Sequence, residues 1–444
     1  MKQTLQDSLP LRRQRDYRLL WTARTVSVTG SEVSKLAVPL TAVTLLAASP
    51  AQMGVLTALA FVPALLFGLH AGALADRLRR HRPLMIACEL VSAFAALTVP
   101  LAWFAGVLSV PLLAAVALVI GTAGVVFKAA NFPHLAAVIP AGQRTEAMAG
   151  FHASYSVASI AGPGLAGLLV QMLTAPLAVL MEALSFLASA LMLRSIRTPD
   201  DREPSPSRGM WRDIVEGLRV SLTQPVLRAI LGAGVTLNFF AMAYIAIAIL
   251  YMLQVLHLPQ GVIGALTAVS GAGGLIGAWA TTRLVKRYGE NRVMVYAILL
   301  FPVDMLTVGL VRGPLWVTIP IMATTGLLIG ATVVTFATCM NVVAMREAPA
   351  EVMGRVNATM TFAIQGVLAL GGLFGGLLAE VVGLRAVILV CAAGTSLAIF
   401  WIWGSPLRPR RRRGAGGGGG GGEDVDPVRS RALRELAYTK IRTV

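Results

Sequence analysis

The sequence predicts an all-α membrane protein, with twelve transmembrane helices arranged as two parallel-repeat six-helix bundles. Three observations lead there. Of 444 residues, 56% are hydrophobic and only 13% charged, where a soluble domain carries about 25% charged residues. The apolar residues gather into about twelve runs, each long enough for the ~20-residue span that a hydrocarbon core requires. Cations collect in every second connection between those runs, which is the mark of cytoplasmic loops.

With that ruler the spans fall at roughly 17–46, 52–75, 83–105, 110–132, 145–172 and 175–194 in the first half. In the second half they fall at roughly 224–254, 258–282, 292–312, 314–345, 356–381 and 384–404. The opening stretch, MKQTLQDSLPLRRQRDYRLL, is basic. The helix behind it is too long and too polar for a signal peptide, so a short cytoplasmic N-terminus is expected. Basic residues then recur at Arg77 to Arg82, Arg144, the arginines of TPDDREPSPSRGMWRD (198 to 213), Arg283, Lys286, Arg287, Arg292, Arg346 and Arg355. The alternate connections hold only Arg312 and Arg385. An even number of spans with both termini in the cytoplasm fits this alternation. The formal charge of +17 is therefore a topology signal, and a nucleic-acid partner is not expected.

Four regions follow: a first bundle over 1–197, a polar linker over 198–222, a second bundle over 223–405 and a tail over 406–444. The tail carries Arg410 to Arg413 and a glycine run from Gly416 to Gly422, a composition expected to be disordered and to touch anionic lipid. Cys88, Cys339 and Cys391 lie far apart in apolar runs and suggest neither a disulfide framework nor a metal site. No cofactor motif is present: the phosphate-binding G-x-x-x-x-G-K-[ST] loop and the G-x-S-x-G elbow are both missing, so an enzyme is not expected.

The two halves share a plan. GVLTA at 54–58 in the second span answers GALTA at 264–268 in the eighth. GPGLAGLL at 162–169 in the fifth answers GGLFGGLL at 371–378 in the eleventh, and the two offsets differ by one residue. Duplicated halves related by an axis along the membrane normal enclose one central cavity and can rock about it. That architecture suits a transporter, with an importer or a non-transporting receptor or scaffold as the alternatives.

GALADRLRRHR at the turn between the second and third spans resembles the signature loop of the major facilitator superfamily, G-x-x-x-D-R-x-G-R-R. Gly72, Asp76, Arg77 and Arg80 fill the matching positions, and Arg79 stands where a second glycine is common. The resemblance implies a cytoplasmic latch in which the aspartate bridges to the other half. The counterpart GAWATTRLVKRYGENR at 277 to 292 keeps Gly277 but has no aspartate. ASIAGPGLAGLL at 158–169 resembles the family's fifth-helix antiporter motif, with Gly162, Pro163 and Gly167 matching and Ala166 replacing a glycine. YRLLWTARTVSVTGSEVSKLAVPL at 17–40, FPHLAAVIP at 132–140 and LMEALSFLASALMLRSIR at 180–197 are similar to a branch of drug and siderophore exporters related to enterobactin and macrolide efflux proteins. The resemblance implies a monomer in the plasma membrane that exports a bulky, partly hydrophobic small molecule, with protons as the coupling ion.

Polar residues at membrane depth are costly and mark function. Arg24, Ser27, Ser31 and Lys35 fall on one face of the first helix, with Glu32 beside it. Glu32 is a candidate for proton coupling or, alternatively, half of a fixed ion pair with Lys35 one turn on. Asp304, mid-way along the ninth span, is a second proton-coupling candidate or a helix-packing hydrogen bond. Asn238, Asn341, Asn357 and Gln365 are candidates for lining the cavity from the second half, or for interhelical glue. Tyr244, Phe239 and Phe240 offer stacking surface or filler, while Glu89 and Glu182 read as helix-end caps or latch partners and His70 as a packed histidine.

Overall fold

The computed structural model describes residues 10–77, 80–198, 218–347 and 353–403, without side chains at 69, 70, 72–77 and 353–358. An apolar medium offers the backbone no hydrogen-bond partner, so a chain this hydrophobic satisfies itself as helices. The first bundle comprises α1 (Arg15–Leu46), α2 (Pro50–Arg77), α3 (Arg82–Phe104), α4 (Val110–Val138), α5 (Arg144–Met172) and α6 (Ala175–Arg194). The second comprises α7 (Pro225–Gln254), α8 (Gln260–Tyr288), α9 (Glu290–Leu310), α10 (Leu315–Glu347), α11 (Met353–Val382), α12 (Leu384–Ser396) and α13 (Ala398–Trp403). The last two form one span interrupted at Leu397.

Most expected boundaries agree within three residues. The exceptions are α4 and α8, which run on to Val138 and Tyr288 at the basic end. In α8 the added residues RLVKRY are polar, and a helix need not stop where hydropathy does; in α4 the added PHLAAV is itself apolar and carries Leu135 into the basic-end core. Eleven of the helices contain a membrane-length apolar window. In α1 the run is interrupted by Arg24, Glu32 and Lys35.

The repeat seen in the sequence is a repeat in packing. In the first bundle α1 lies against α5 and α6, α3 against α4 and α6, and α2 against α4. In the second, α7 lies against α11 and the α12–α13 span, α9 against α10 and that span, and α8 against α10. Across the bundles α2 meets α11 and α5 meets α8.

Those two crossings join the repeated motifs to each other. A Cβ on Gly54 would stand 2.8 Å from Gly376 Cα, and one on Gly376 would stand 2.5 Å from Gly54 Cα. Symmetrically, a Cβ on Gly167 would stand 2.9 Å from Gly264 Cα, and one on Gly264 would stand 2.7 Å from Gly167 Cα. GVLTA therefore packs on GGLFGGLL, and GALTA packs on GPGLAGLL. Glycine lets backbones touch, and in lipid such close dispersion contact replaces the missing hydrophobic drive. The opposite faces of the same two helices do equivalent work within each bundle. Gly162 of α5 faces Glu32 of α1, while Gly371 and Gly375 of α11 face the Phe239 and Ala243 carbonyls of α7.

Both seams lie at the end away from the basic connections, hereafter the far end. There a single apolar core includes Leu36, Leu40 and Val179 of the first bundle with Leu250, Ile263 and Val387 of the second. At the basic end the first bundle closes a core of its own, with Leu11, Leu20, Met85, Leu135 and Leu193. Asp16 fastens that end by accepting the Thr198 hydroxyl at 2.6 Å and its N–H at 2.8 Å. In the second bundle Arg346 donates to Glu290 at 2.8 Å, joining α10 to α9.

The stripe of α5 that meets α8 continues towards the basic end as Val157 and Ala153, both exposed; the cavity of about 740 Å³ that these residues also border lies between α5 and α1. The matching stripe of α8 runs Gly261, Gly264, Ala268 and Gly271 in contact with α5, then Leu275 and Trp279, which are 51% and 63% exposed. One face thus begins in tight contact and ends open.

Candidate functional site

A polar hollow of about 290 Å³ sits inside the first bundle at membrane depth. α1 supplies Arg24, Ser27, Ser31, Glu32 and Lys35 to its polar wall, and α3 and α4 add Glu89, Ser92 and Lys128. The four stripe residues thus lie together on this hollow with Glu32 among them, and the hollow is inside the first bundle and not between the two. Two glycines bring α1 in. A Cβ on Gly30 would collide with the Ser185 side chain of α6, and one on Gly162 would stand 2.5 Å from Glu32 Cβ. Two elements singled out separately in the sequence, the α5 motif and Glu32, are thus in direct contact.

Lys35 donates to Glu32 at 2.6 Å; the carboxylate side chain is 8% exposed and the ammonium 62%. The pair is therefore asymmetric, with its acid held in protein and its base reaching into open space. Glu89 of α3 lines the same hollow and caps no helix end. Its Oε1 accepts from Ser189 at 2.9 Å and its Oε2 from Ser27 at 3.4 Å. Glu182, mid-way along α6 and buried, faces Ser31 and Ser34. The reading of these two acids as helix-end caps is corrected: they sit in the helix interiors beside α1, and for Glu89 serine hydroxyls supply the donors that lipid cannot.

Sequence reasoning passed over Lys128. It projects from α4 into the hollow and neighbours Lys35 and Arg24 electrostatically. A lone lysine inside the apolar run VIGTAGVVFKAANF was the available signal, because an intramembrane cation is functional by default. Arg24 lies 5.8 Å from the ring centres of both Phe127 and Phe151, a cation–π arrangement. Phe127, Tyr155 and Phe186 supply the apolar wall.

The remaining candidates are not brought to this hollow, whose lining comes from the first bundle alone. Asp304 is half-buried on α9 beside Thr325 and Tyr244 of the second bundle. Asn238 donates to the Gly234 carbonyl of its own helix at 2.8 Å. Asn341 is exposed and Gln365 half-buried, while the Asn357 side chain lies outside the described residues. Phe239, Phe240 and Phe374 pack on one another with ring centres 5.1 to 6.5 Å apart, and a Cβ on Gly394 would meet the Phe240 ring at 2.4 Å. These aromatics knit α7 to α11 and α12. Of the signature loop, Gly72, Asp76 and Arg77 have described backbone only, Arg79 lies outside the described residues, and Arg80 is exposed. The His70 side chain and the basic tail also lie outside them.

Two repeat-related six-helix bundles with charged groups at membrane depth define a class, the multi-pass membrane transporter. The family model of the Major Facilitator Superfamily matches residues 20–372, and the chain belongs to that superfamily. The chain is similar to the multidrug efflux pump Tap of Mycobacterium tuberculosis, 28% identical over 354 residues that cover 78% of this chain and 82% of Tap. Among solved structures it resembles a variant of the nucleoside transporter NupG, with a TM-score of 0.72 at 11% identity, covering 88% of this chain and 100% of that one. A bacterial homologue of the iron transporter ferroportin, in its inward-facing state, gives 0.72 at 15% identity, covering 88% and 99%. At such identities these two likenesses concern the fold alone.

Proposed function

We propose that this protein exports a bulky, partly hydrophobic small molecule across the plasma membrane by alternating access, exchanging it for protons. The observation that carries the reading is the α5–α8 face, sealed by Gly167 and Gly264 at one end and exposed at Val157, Leu275 and Trp279 at the other. A face half made and half exposed is what one end-state of a rocking pair requires. With both termini cytoplasmic, the open end faces the cytoplasm, ready to load cargo for export. The similarity to Tap, a multidrug efflux pump, supports the outward direction, as does the α5 motif that accompanies export in the family.

Glu32 is the proposed coupling carboxylate. Proton uptake by Glu32 would release Lys35 from its 2.6 Å pair and leave the ammonium free, so the charge facing the hollow changes with each proton exchanged. Everted membrane vesicles carrying the full chain test the reading with two aromatic dyes, ethidium and fluorescein. An imposed pH gradient should drive accumulation of at least one dye, and a protonophore should abolish it. Accumulation of neither overturns the export reading. Glu32→Gln should remove the pH-driven component at unchanged protein level, and unaltered efflux would take Glu32 out of the mechanism.

A further inference from the structure

The charges around the hollow in the first bundle are unevenly served. Each carboxylate lining it already has donors: Glu32 has Lys35, and Glu89 has Ser27 and Ser189. The cations are different. Among the described residues no acceptor takes a hydrogen bond from Arg24 or from Lys128, and neither forms an ion pair within 4 Å. Glu89 is the acid nearest in effect to Arg24, yet both its oxygens are engaged by hydroxyls. The charges that Lys128 feels are those of Lys35 and Arg24, both like its own. Lys128 is exposed and Arg24 half-buried, so both keep unused donors open to whatever enters the hollow, and like charges side by side at membrane depth favour an anion there. Both border the same hollow, and Phe127, Tyr155 and Phe186 border it too.

We propose that Lys128 and Arg24 form an anion subsite, and that the cargo carries a carboxylate, phenolate or similar anionic group on an aromatic body. Arg24 presents a planar fork suited to a two-oxygen anion, while Lys128 is a point charge that reaches it from α4. The aromatic walls take the body of the molecule. This rests on the export reading, and it narrows that reading to acidic or zwitterionic compounds.

The test uses the purified full chain in detergent, with fluorescein as the anionic probe and ethidium as the cationic one, and reads binding by fluorescence anisotropy. Fluorescein should bind, and Lys128→Gln and Arg24→Gln should each weaken it about tenfold or more, as loss of a charge-assisted hydrogen bond does. Lys128→Arg should keep binding within about threefold. That rescue separates loss of charge from loss of folding. Ethidium binding should not weaken in either glutamine variant. Absence of fluorescein binding, or binding unchanged in both glutamine variants, overturns the anion subsite. If ethidium accumulates in vesicles while fluorescein does not bind, export stands and the anion subsite falls. If fluorescein binds through Lys128 while vesicles accumulate neither dye, the anion subsite stands and export falls.

Discussion

Gly264→Ala should force the far-end seam apart. The added Cβ would stand 2.7 Å from Gly167 Cα and 2.8 Å from the Pro163 carbonyl oxygen. Carbon atoms rest at about 3.5–4.0 Å, so α5 and α8 must separate by about 1 Å. Both obstacles are backbone atoms and cannot rotate aside. Overpacking of this kind costs about 1–3 kcal/mol. In the proposed alternating cycle the opposite state parts this seam and escapes the cost, so the penalty acts on the equilibrium between states. The population ratio should move about 5- to 150-fold towards the state open at the far end. Electron–electron double resonance reads this with nitroxides at Val107→Cys and Trp316→Cys, two exposed far-end positions on different bundles. A longer-distance population should grow in Gly264→Ala. It should not grow in Gly68→Ala, where an added Cβ meets nothing within 4 Å. A distance distribution identical to the parent's would refute the argument that this glycine contact holds the far end closed.

Three further outcomes are expected. Gly162→Ala puts a Cβ 2.5 Å from Glu32 Cβ and should destabilise the first bundle by about 1–3 kcal/mol; a melting temperature equal to that of Gly68→Ala would contradict the α1–α5 contact. Glu89→Ala leaves the Ser27 and Ser189 hydroxyls without their acceptor, at a cost of about 1–3 kcal/mol. Glu89→Gln keeps a carbonyl acceptor and should melt higher than the alanine variant; equal losses would mean that those hydrogen bonds do not matter. Asp76→Asn, in the loop that resembles the family signature, should slow turnover more than it weakens binding, and equal turnover in both proteins would speak against a latch.

Much of the fold was legible because hydropathy and charge act locally. A span must be apolar over its own ~20 residues and a cytoplasmic loop basic over its own length, so each could be read without knowing its neighbours. The limits of that reading are equally physical. α8 continues as a helix through Arg283, Lys286 and Arg287, where hydropathy falls silent, while α4 continues through the apolar PHLAAV to pack Leu135 into the basic-end core. The α1 stripe was legible for the same local reason, since Arg24, Ser27, Ser31 and Lys35 repeat at helical spacing on one element.

The company that stripe keeps was not legible. Glu89, Lys128 and Glu182 stand on three other helices, and no periodicity links them to Glu32. The sequence by itself determined the number of spans, their alternating orientation and the duplication, because each is written in consecutive residues or in a direct comparison of two stretches. Only the tertiary structure decided that the duplicated motifs are each other's partners, that Gly162 seats Glu32, and that three cations and two carboxylates line one hollow with two cations left over. Those are matters of distance between residues far apart in the chain. In lipid they depend on which small side chains let two backbones touch, and that depends on the facing helix as much as on the glycine itself.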